Sequence, residues 1–322
     1  MSWIIEESDD ASSAINVQGN NVTCQKEDFY GSPINVLWKD PAENAGLYYW
    51  QIEFVQLDQQ GSASVGLTTQ NHFKPGYAMK AMEYNGKLMN LCSNLKVSSS
   101  ERNLADGSAL LVGSFGDSIK QGDNIGILLN LTDSELKMYL FLDGRPLGLA
   151  FHVQAPFPKP LFPVVSFSTN GEATIIHSKQ GPTSLDRQEK QFNGIEGHWK
   201  LVDYPQRSDC TGYHFHIYKK DETDNNYYRL STSVVNTMSS ILCHDPSTNQ
   251  WQSQGCMQTL MGGDQESMRK EDVISELIKG ITGVELRGQQ LVITSNGNQV
   301  KLDRYTPEPP KAYTKNVFAA ED

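Results

Sequence analysis

The chain has 322 residues, of which 38% are hydrophobic and 20% charged, and a net charge of −11. That length predicts two compact domains, and the composition excludes a disordered or fibrous chain. The acidic surplus repels phosphate backbones and anionic headgroups, and the densest cationic pair, Lys219-Lys220, is followed at once by Asp221, Glu222 and Asp224. Nucleic-acid and membrane-surface binding are therefore not expected.

No apolar run reaches the roughly 18 residues of a membrane-spanning helix. The start, Met1 to Asp10, turns acidic after three apolar residues and has no basic stretch, so no secretory signal is expected and the chain reads as cytoplasmic. Cys24, Cys92, Cys210, Cys243 and Cys256 are odd in number and widely spread, as reduced thiols are. The sequons at Asn21 and Asn130 are then chance matches.

Up to residue 177 the pattern predicts short strands rich in aromatic and β-branched residues. They run from Tyr48 to Val55, Ala63 to Thr68, Asn124 to Asn130, Leu136 to Leu142 and Leu161 to Ser166, with glycine turns between them and no amphipathic helix. Regular short strands of this kind predict an antiparallel β-sandwich. Asp143-Gly144 supplies the positive-φ chemistry of a hairpin turn, and Gly126 leaves room where a side chain would crowd the neighbouring sheet.

The stretch Gly122 to Leu131 followed by Glu135 to Phe151 resembles the core hairpin of SPRY domains. Three further pieces fall in the order of that family. Tyr49-Trp50-Gln51-Ile52-Glu53-Phe54 with Val65-Gly66-Leu67 is the first, Gly76-Tyr77 with Tyr84-Asn85-Gly86-Lys87 the second, and Leu161-Phe162-Pro163-Val164-Val165-Ser166 the third. The resemblance covers about residues 3–177. Two additional residues within Met138 to Asp143 predict a longer hairpin or a bulge.

From Ser178 to Asn193 neither periodicity is present, which reads as a linker; residues 1–190 carry −7 and residues 191–322 carry −4, so neither half is a basic arm. Strands resume at Ile195 to Val202, Tyr213 to Tyr218 and Tyr227 to Leu230. Val273, Ile274, Leu277, Ile278 and Ile281 then form a helical stripe, with Asp264 as cap and Gly280 or Gly283 as stop. Three strands follow, with turns at Arg287-Gly288 and Asn296-Gly297.

This order resembles META domains over residues 194–305, on Gly197-His198-Trp199-Lys200-Leu201, Thr259-Leu260-Met261, the helix and the final meander. Gly262-Gly263 departs from that pattern. A lipocalin-type barrel, which also opens on Gly-x-Trp, is the competing reading. Residues 306–322 form a tail in which Pro309-Pro310 favours extended geometry, so the tail is expected to leave the domain body.

Catalytic spacings are not found. His214 and His216 share a strand face and Cys243-His244 could complete a metal site, but no zinc spacing supports this. Ser64 and Ser114 lie outside any nucleophile elbow, and Gly113 to Asp117 has no phosphate-loop lysine. Asp117, Asp123 and Asp133 lack the alternating spacing of a calcium loop. No cofactor or metal is expected, and the chain reads as non-catalytic.

The SPRY resemblance implies protein binding by loops on a rigid sandwich. The candidate loops are Tyr30 to Pro33, Asn71 to Tyr77 and Leu95 to Asp106, and the candidate partner-binding residues are Tyr30, His72, Phe73, Lys74, Tyr77 and Arg102. Aromatic anchors bury large area at low entropy cost, although Phe73 and Tyr77 can equally pack beneath their own loop. The expected role is an adaptor or scaffold subunit of an intracellular assembly, with a cytoskeletal or flagellar setting conceivable. The alternative is a small-ligand-binding or stress-response role for the META-like half.

Overall fold

The computed structural model describes residues 3–4, 14–26, 33–58, 63–75, 79–84, 88–92, 112–113, 115, 119–178, 180–221, 224–260, 262–309, 311–314 and 316–318. It divides into two compact units, Met1–Glu189 with Pro309–Asp322, and Lys190–Glu308.

In the first unit the strands are β1 (Trp3–Ile4), β2 (Ile15–Gln18), β3 (Asn21–Cys24), β4 (Ile34–Trp38), β5 (Gly46–Leu57), β6 (Ala63–Thr68) and β7 (Lys80–Tyr84). They continue as β8 (Leu88–Cys92), β9 (Val112–Gly113), β10 (Asn124–Leu131), β11 (Glu135–Leu142), β12 (Arg145–Gln154), β13 (Phe162–Phe167) and β14 (Gly171–Ser178). Two antiparallel sheets result, in the orders β1-β4-β13-β6-β7-β8-β9 and β12-β11-β10-β5-β14-β3-β2. Their facing sides share one core, so this unit is a β-sandwich.

Alternation along β5 shows why the sheets stack. Trp50, Ile52 and Phe54 point into the core, while Gln51, Glu53 and Val55 face outward. Opposite β14 the register skips Val55, and this bulge turns Leu57 back inward. Asp143 and Gly144, at φ 52° and 77°, make the tight turn between β11 and β12. Gly126 lies where an added Cβ would meet Tyr49 Oη at 2.8 Å and Phe141 Cβ at 3.0 Å, both on neighbouring strands of the same sheet.

The expected bulging is present, but the unpaired residues lie on β12 and not within Met138 to Asp143. β10 and β11 pair in unbroken register, whereas β11 and β12 slip between Met138 and Tyr139 and again between Leu140 and Phe141. Leu147 and Ala150 on β12 are the residues left unpaired. β12 is also the edge strand of its sheet, so its outward carbonyls need partners from outside the sheet.

Those partners are the segments read from sequence as linker and as departing tail. Gln188 N donates to Pro146 O at 2.9 Å, and Arg187 Nη1 donates to Leu147 O at 3.0 Å. Tyr313 N donates to Ala150 O at 2.8 Å and Tyr313 O accepts from His152 N at 2.7 Å. The tail, expected to leave the domain body, instead lies against the first unit. The bulged edge supplies unpaired backbone groups that it satisfies.

The second unit comprises β15 (Gly197–Asp203), β16 (His214–Asp221), β17 (Asp224–Ser233), β18 (Thr237–Asp245), β19 (Gln250–Ser253), β20 (Met257–Gln258), α1 (Gln265–Lys279), β21 (Ile281–Arg287), β22 (Gln290–Ser295) and β23 (Asn298–Arg304). The sheet order is β19-β18-β17-β16-β15-β23-β22-β21, with β20 on β18, and the two ends approach each other to give a nearly closed barrel. Trp199, Phe215, Leu230 and Leu242 fill it together with Ile274, Leu277 and Ile278 of α1.

The helix begins where the Asp264 side chain accepts from Ser267 N at 2.9 Å and ends at Gly280. Gly283, the other expected stop, lies within β21. No helix among the described residues is long and apolar enough to cross a membrane.

Candidate functional site

The loop after β6 is built from the inside out. Thr68 and Thr69 are buried, and Thr68 Oγ1 donates to Lys80 O at 2.7 Å across the base of the loop. His72 N and Phe73 N both donate to Thr69 O, at 3.1 and 3.0 Å, which closes a tight turn. From the far side Asn35 Nδ2 donates to Lys74 O at 2.6 Å and Asn35 N to Pro75 O at 2.8 Å. A loop tied at both ends in this way presents its outward side chains in one geometry.

Phe73 is not one of them. It is 3% exposed and packs with Leu37, Met79, Ala81, Phe162 and Val164 on the outer side of the first sheet. The loop folds back over that sheet face and needs an apolar underside, so the expected exposed anchor serves the loop's own packing.

His72 is half-buried and Lys74 exposed. His72 Nδ1 is hydrogen-bonded to Thr69 Oγ1 at 2.6 Å. Burial, with the Lys80 and Lys74 ammonium groups adding to it, holds this imidazole below the ordinary histidine range, so it is neutral at pH 7. Tyr30, Tyr77 and Arg102, and the loop from Leu95 to Asp106, lie outside the described residues.

Beside His72 lies a residue that was not singled out from sequence. The Phe318 ring is centred 5.2 Å from the His72 ring, is 9% exposed, and joins the main core of the sandwich. Its segment runs along the β12 edge, where Tyr313 forms a parallel bridge to Phe151 with ring centres 6.2 Å apart. Asn316 Nδ2 then donates to Pro156 O at 2.8 Å. The available signal was the placing of Tyr313, Val317 and Phe318 in an otherwise polar tail.

The opposite end of β13 carries a polar cleft of about 400 Å³, lined by residues that include Lys26, Gln56, Asp58 and Asn170. Lys26 N donates to Asn170 Oδ1 at 2.6 Å and Lys26 Nζ to Ser168 O at 3.1 Å, so these polar groups largely tie the cleft's own walls together.

Among the described residues, Ser64, Asp123 and Asp133 each have a partner of their own. Ser64 Oγ donates to the buried Glu83 carboxylate at 3.3 Å. Asp123 accepts from Lys120 N at 2.9 Å, and Asp133 pairs with Lys159 at 3.5 Å. Ser114 and Asp117 lie outside the described residues.

In the second unit His216 stacks on His198 with ring centres 4.2 Å apart, and His214 stacks on Tyr305 at 4.3 Å. Cys243 and His244 lie on β18, two strands away from β16, and His244 stacks on Trp251 at 4.4 Å. Among the described residues no group of three or more His, Cys, Asp or Glu side chains could hold a metal ion.

The sandwich was compared with known proteins. Residues 47–180 match the family model of the SPRY domain. That match lies within the first unit.

A Drosophila melanogaster protein, the Ran-binding proteins 9/10 homolog, is 26% identical over 147 residues, which is 45% of this chain and 13% of that protein. The chain therefore spans about an eighth of the length of that relative. Among solved structures, the SPRY domain of human HERC1 is 17% identical over 52% of this chain and 95% of its own, with a TM-score of 0.37. The PSpry domain of TRIM65 is 14% identical over 51% and 86%, with a TM-score of 0.32. SPRY domains are in general protein–protein interaction modules.

Proposed function

We propose that this chain is a non-catalytic adaptor that recruits a protein partner through the SPRY loop carrying His72 and Lys74. The observation that carries the reading is the bracing of that loop. Phe73 fills its underside, Asn35 fixes its exit, and Thr69 closes its turn, so the two outward side chains are held before a partner arrives. Pre-organisation of this kind lowers the ordering cost of association.

The second unit is read as a META-like β domain over about residues 194–305, joined through residues 178–193. What supports this is the Gly197-His198-Trp199 opening strand, one helix, and a final three-strand meander in that order. In the proposed assembly it serves as a second scaffold.

The test compares partners recovered by affinity purification with wild-type chain and with His72→Ala/Lys74→Glu. Selective loss of a set of partners is the expected result, and unchanged recovery overturns the loop assignment. Proximity labelling in cells then identifies the assembly, including a cytoskeletal or flagellar one.

A further inference from the structure

The β12 edge is divided between two segments. Gln188 and Arg187 take the carbonyls of Pro146 and Leu147, close to the turn, and the C-terminal segment takes the stretch from Ala150 to His152. Arg187 is anchored three ways, to Leu147 O, to Phe115 O at 2.7 Å and to the Glu189 carboxylate.

Among the described residues the contacts of the C-terminal segment include two backbone hydrogen bonds at Tyr313, a side-chain hydrogen bond from Asn316, the rings of Tyr313 and Phe318, and Val317 packed on the core. It has no regular structure between Tyr305 and Pro309.

Main-chain pairing to an exposed sheet edge, with side chains in pockets at fixed spacing, is how extended peptides are recognised by strand addition. The same pairing can be made by any extended chain, because the β12 groups that engage Tyr313 are backbone groups. Specificity then comes from the two ring positions. One lies over Phe151, and the other lies against His72 on the main core, five residues further along.

We propose that the β12 edge from Ala150 to His152, together with the ring site beside His72, is a docking groove for an extended protein segment that carries two aromatic residues five positions apart, and that residues 311–318 fill it in cis. The proposal rests on the reading of the SPRY domain as the partner-binding part of the chain, and it names the partner's chemistry. A partner segment must displace the tail, which as a tethered ligand competes at an effective concentration on the order of millimolar. A partner that binds weakly in isolation is thereby excluded, and the face that bears His72 opens only to a matching segment.

The experiment uses the full chain and, as probe, a fluorescein-labelled peptide with the sequence of residues 309–322. Binding is read by fluorescence anisotropy to the wild type and to the variant Tyr313→Ala/Phe318→Ala. The variant is expected to bind the probe at least tenfold more tightly than the wild type, and a probe with both aromatic residues replaced by alanine is expected not to bind. Equal affinity of wild type and variant overturns cis occupancy. Equal binding of the alanine probe, or no uptake by a folded variant, overturns the groove.

If thermal melting shows the double variant unfolded, Tyr313→Pro is used, because it removes the donor to Ala150 O and the ring over Phe151 but leaves Phe318 in the core. No rise in probe uptake with that variant overturns the proposal. The partner-recovery test with His72→Ala/Lys74→Glu is separate: its failure with probe uptake intact removes the loop reading and leaves the groove, and the converse result removes the groove alone.

Discussion

Arg187 Nη1 donates to Phe115 O at 2.7 Å, and its guanidinium carbon lies 5.6 Å from the centre of the Phe115 ring. A residue of the segment between the two β patterns is thus fastened to the sandwich, together with Leu185, which packs on Tyr49, Leu128 and Phe141. Hydrogen bonds from a charged, mostly buried donor contribute about 1.5–3 kcal/mol each. Arg187→Ala should lower the stability of the first unit by about 2 kcal/mol. Arg187→Lys should recover little, because an ammonium cannot reach both carbonyls and Glu189 with a fork. Hydrogen exchange at Arg145 to Gly148 in the two variants checks this; unchanged protection would refute it.

Gly66 stands in β6 directly against β7. An added Cβ would overlap the Met82 carbonyl oxygen and lie 3.1 Å from Glu83 Cα, both of them backbone atoms. Neither can rotate away, so Gly66→Ala must part β6 from β7. Overpacking of this kind costs about 3 kcal/mol or more when the backbone has to move. The expected result is a large fall in the denaturation midpoint of the first unit with the second unit's transition unchanged. Gly122→Ala serves as the comparison: it meets no atom within 4 Å and is strained only by its φ of 88°.

Much of this architecture is legible in the sequence because side chains mark it. β5, β10 and β11 alternate strongly, Asp143-Gly144 is turn chemistry, and the stripe from Val273 to Ile281 has helical period. β18 carries a weak strand signal, since Ser240 occupies one of its three inward positions beside Met238 and Leu242 and weakens the alternation. The docking of the tail and of residues 185–188 was hidden for a different reason. Their main partners are backbone groups at the Leu147 and Ala150 bulges, and a bulge carries no composition of its own. In the candidate site His72 and Lys74 could be read as loop residues, but whether Phe73 faced solvent or its own loop depended on the tertiary path.

Glu271 shows the same limit inside the helical stripe. It is 1% exposed, and its carboxylate accepts from Val235 N at 3.0 Å, from Asn236 N, and from Asn236 Nδ2 at 2.7 Å, so it ties α1 to the turn before β18. Glu271→Ala leaves three donors, two of them buried, without this acceptor and should cost the second unit about 3 kcal/mol. Glu271→Gln keeps one acceptor oxygen and should cost less. Urea denaturation followed by the fluorescence of Trp199 and Trp251 measures both; equal stability of the alanine variant and the wild type would show that the tie contributes nothing.

Glu83 carries the pH dependence of the sandwich. Its side chain is buried between Ser64 and Ser166, whose hydroxyls donate to Oε1 at 3.3 and 3.2 Å, and burial pushes its pKa up to about 7 against those two favourable hydrogen bonds. In the unfolded chain the group returns to about 4.5. The folded state therefore holds the proton more tightly, so this contribution to stability is fully present below about pH 4.5 and is lost as the pH rises through about 7. The shift corresponds to about 3 kcal/mol between those limits. Glu83→Gln keeps an oxygen to accept from both serines and never ionises. It should match the wild type near pH 5, exceed it at pH 8, and remove most of the difference in first-unit stability between the two. Guanidinium denaturation at the two pH values decides the matter, and a variant that retains the wild-type pH dependence would place its origin elsewhere.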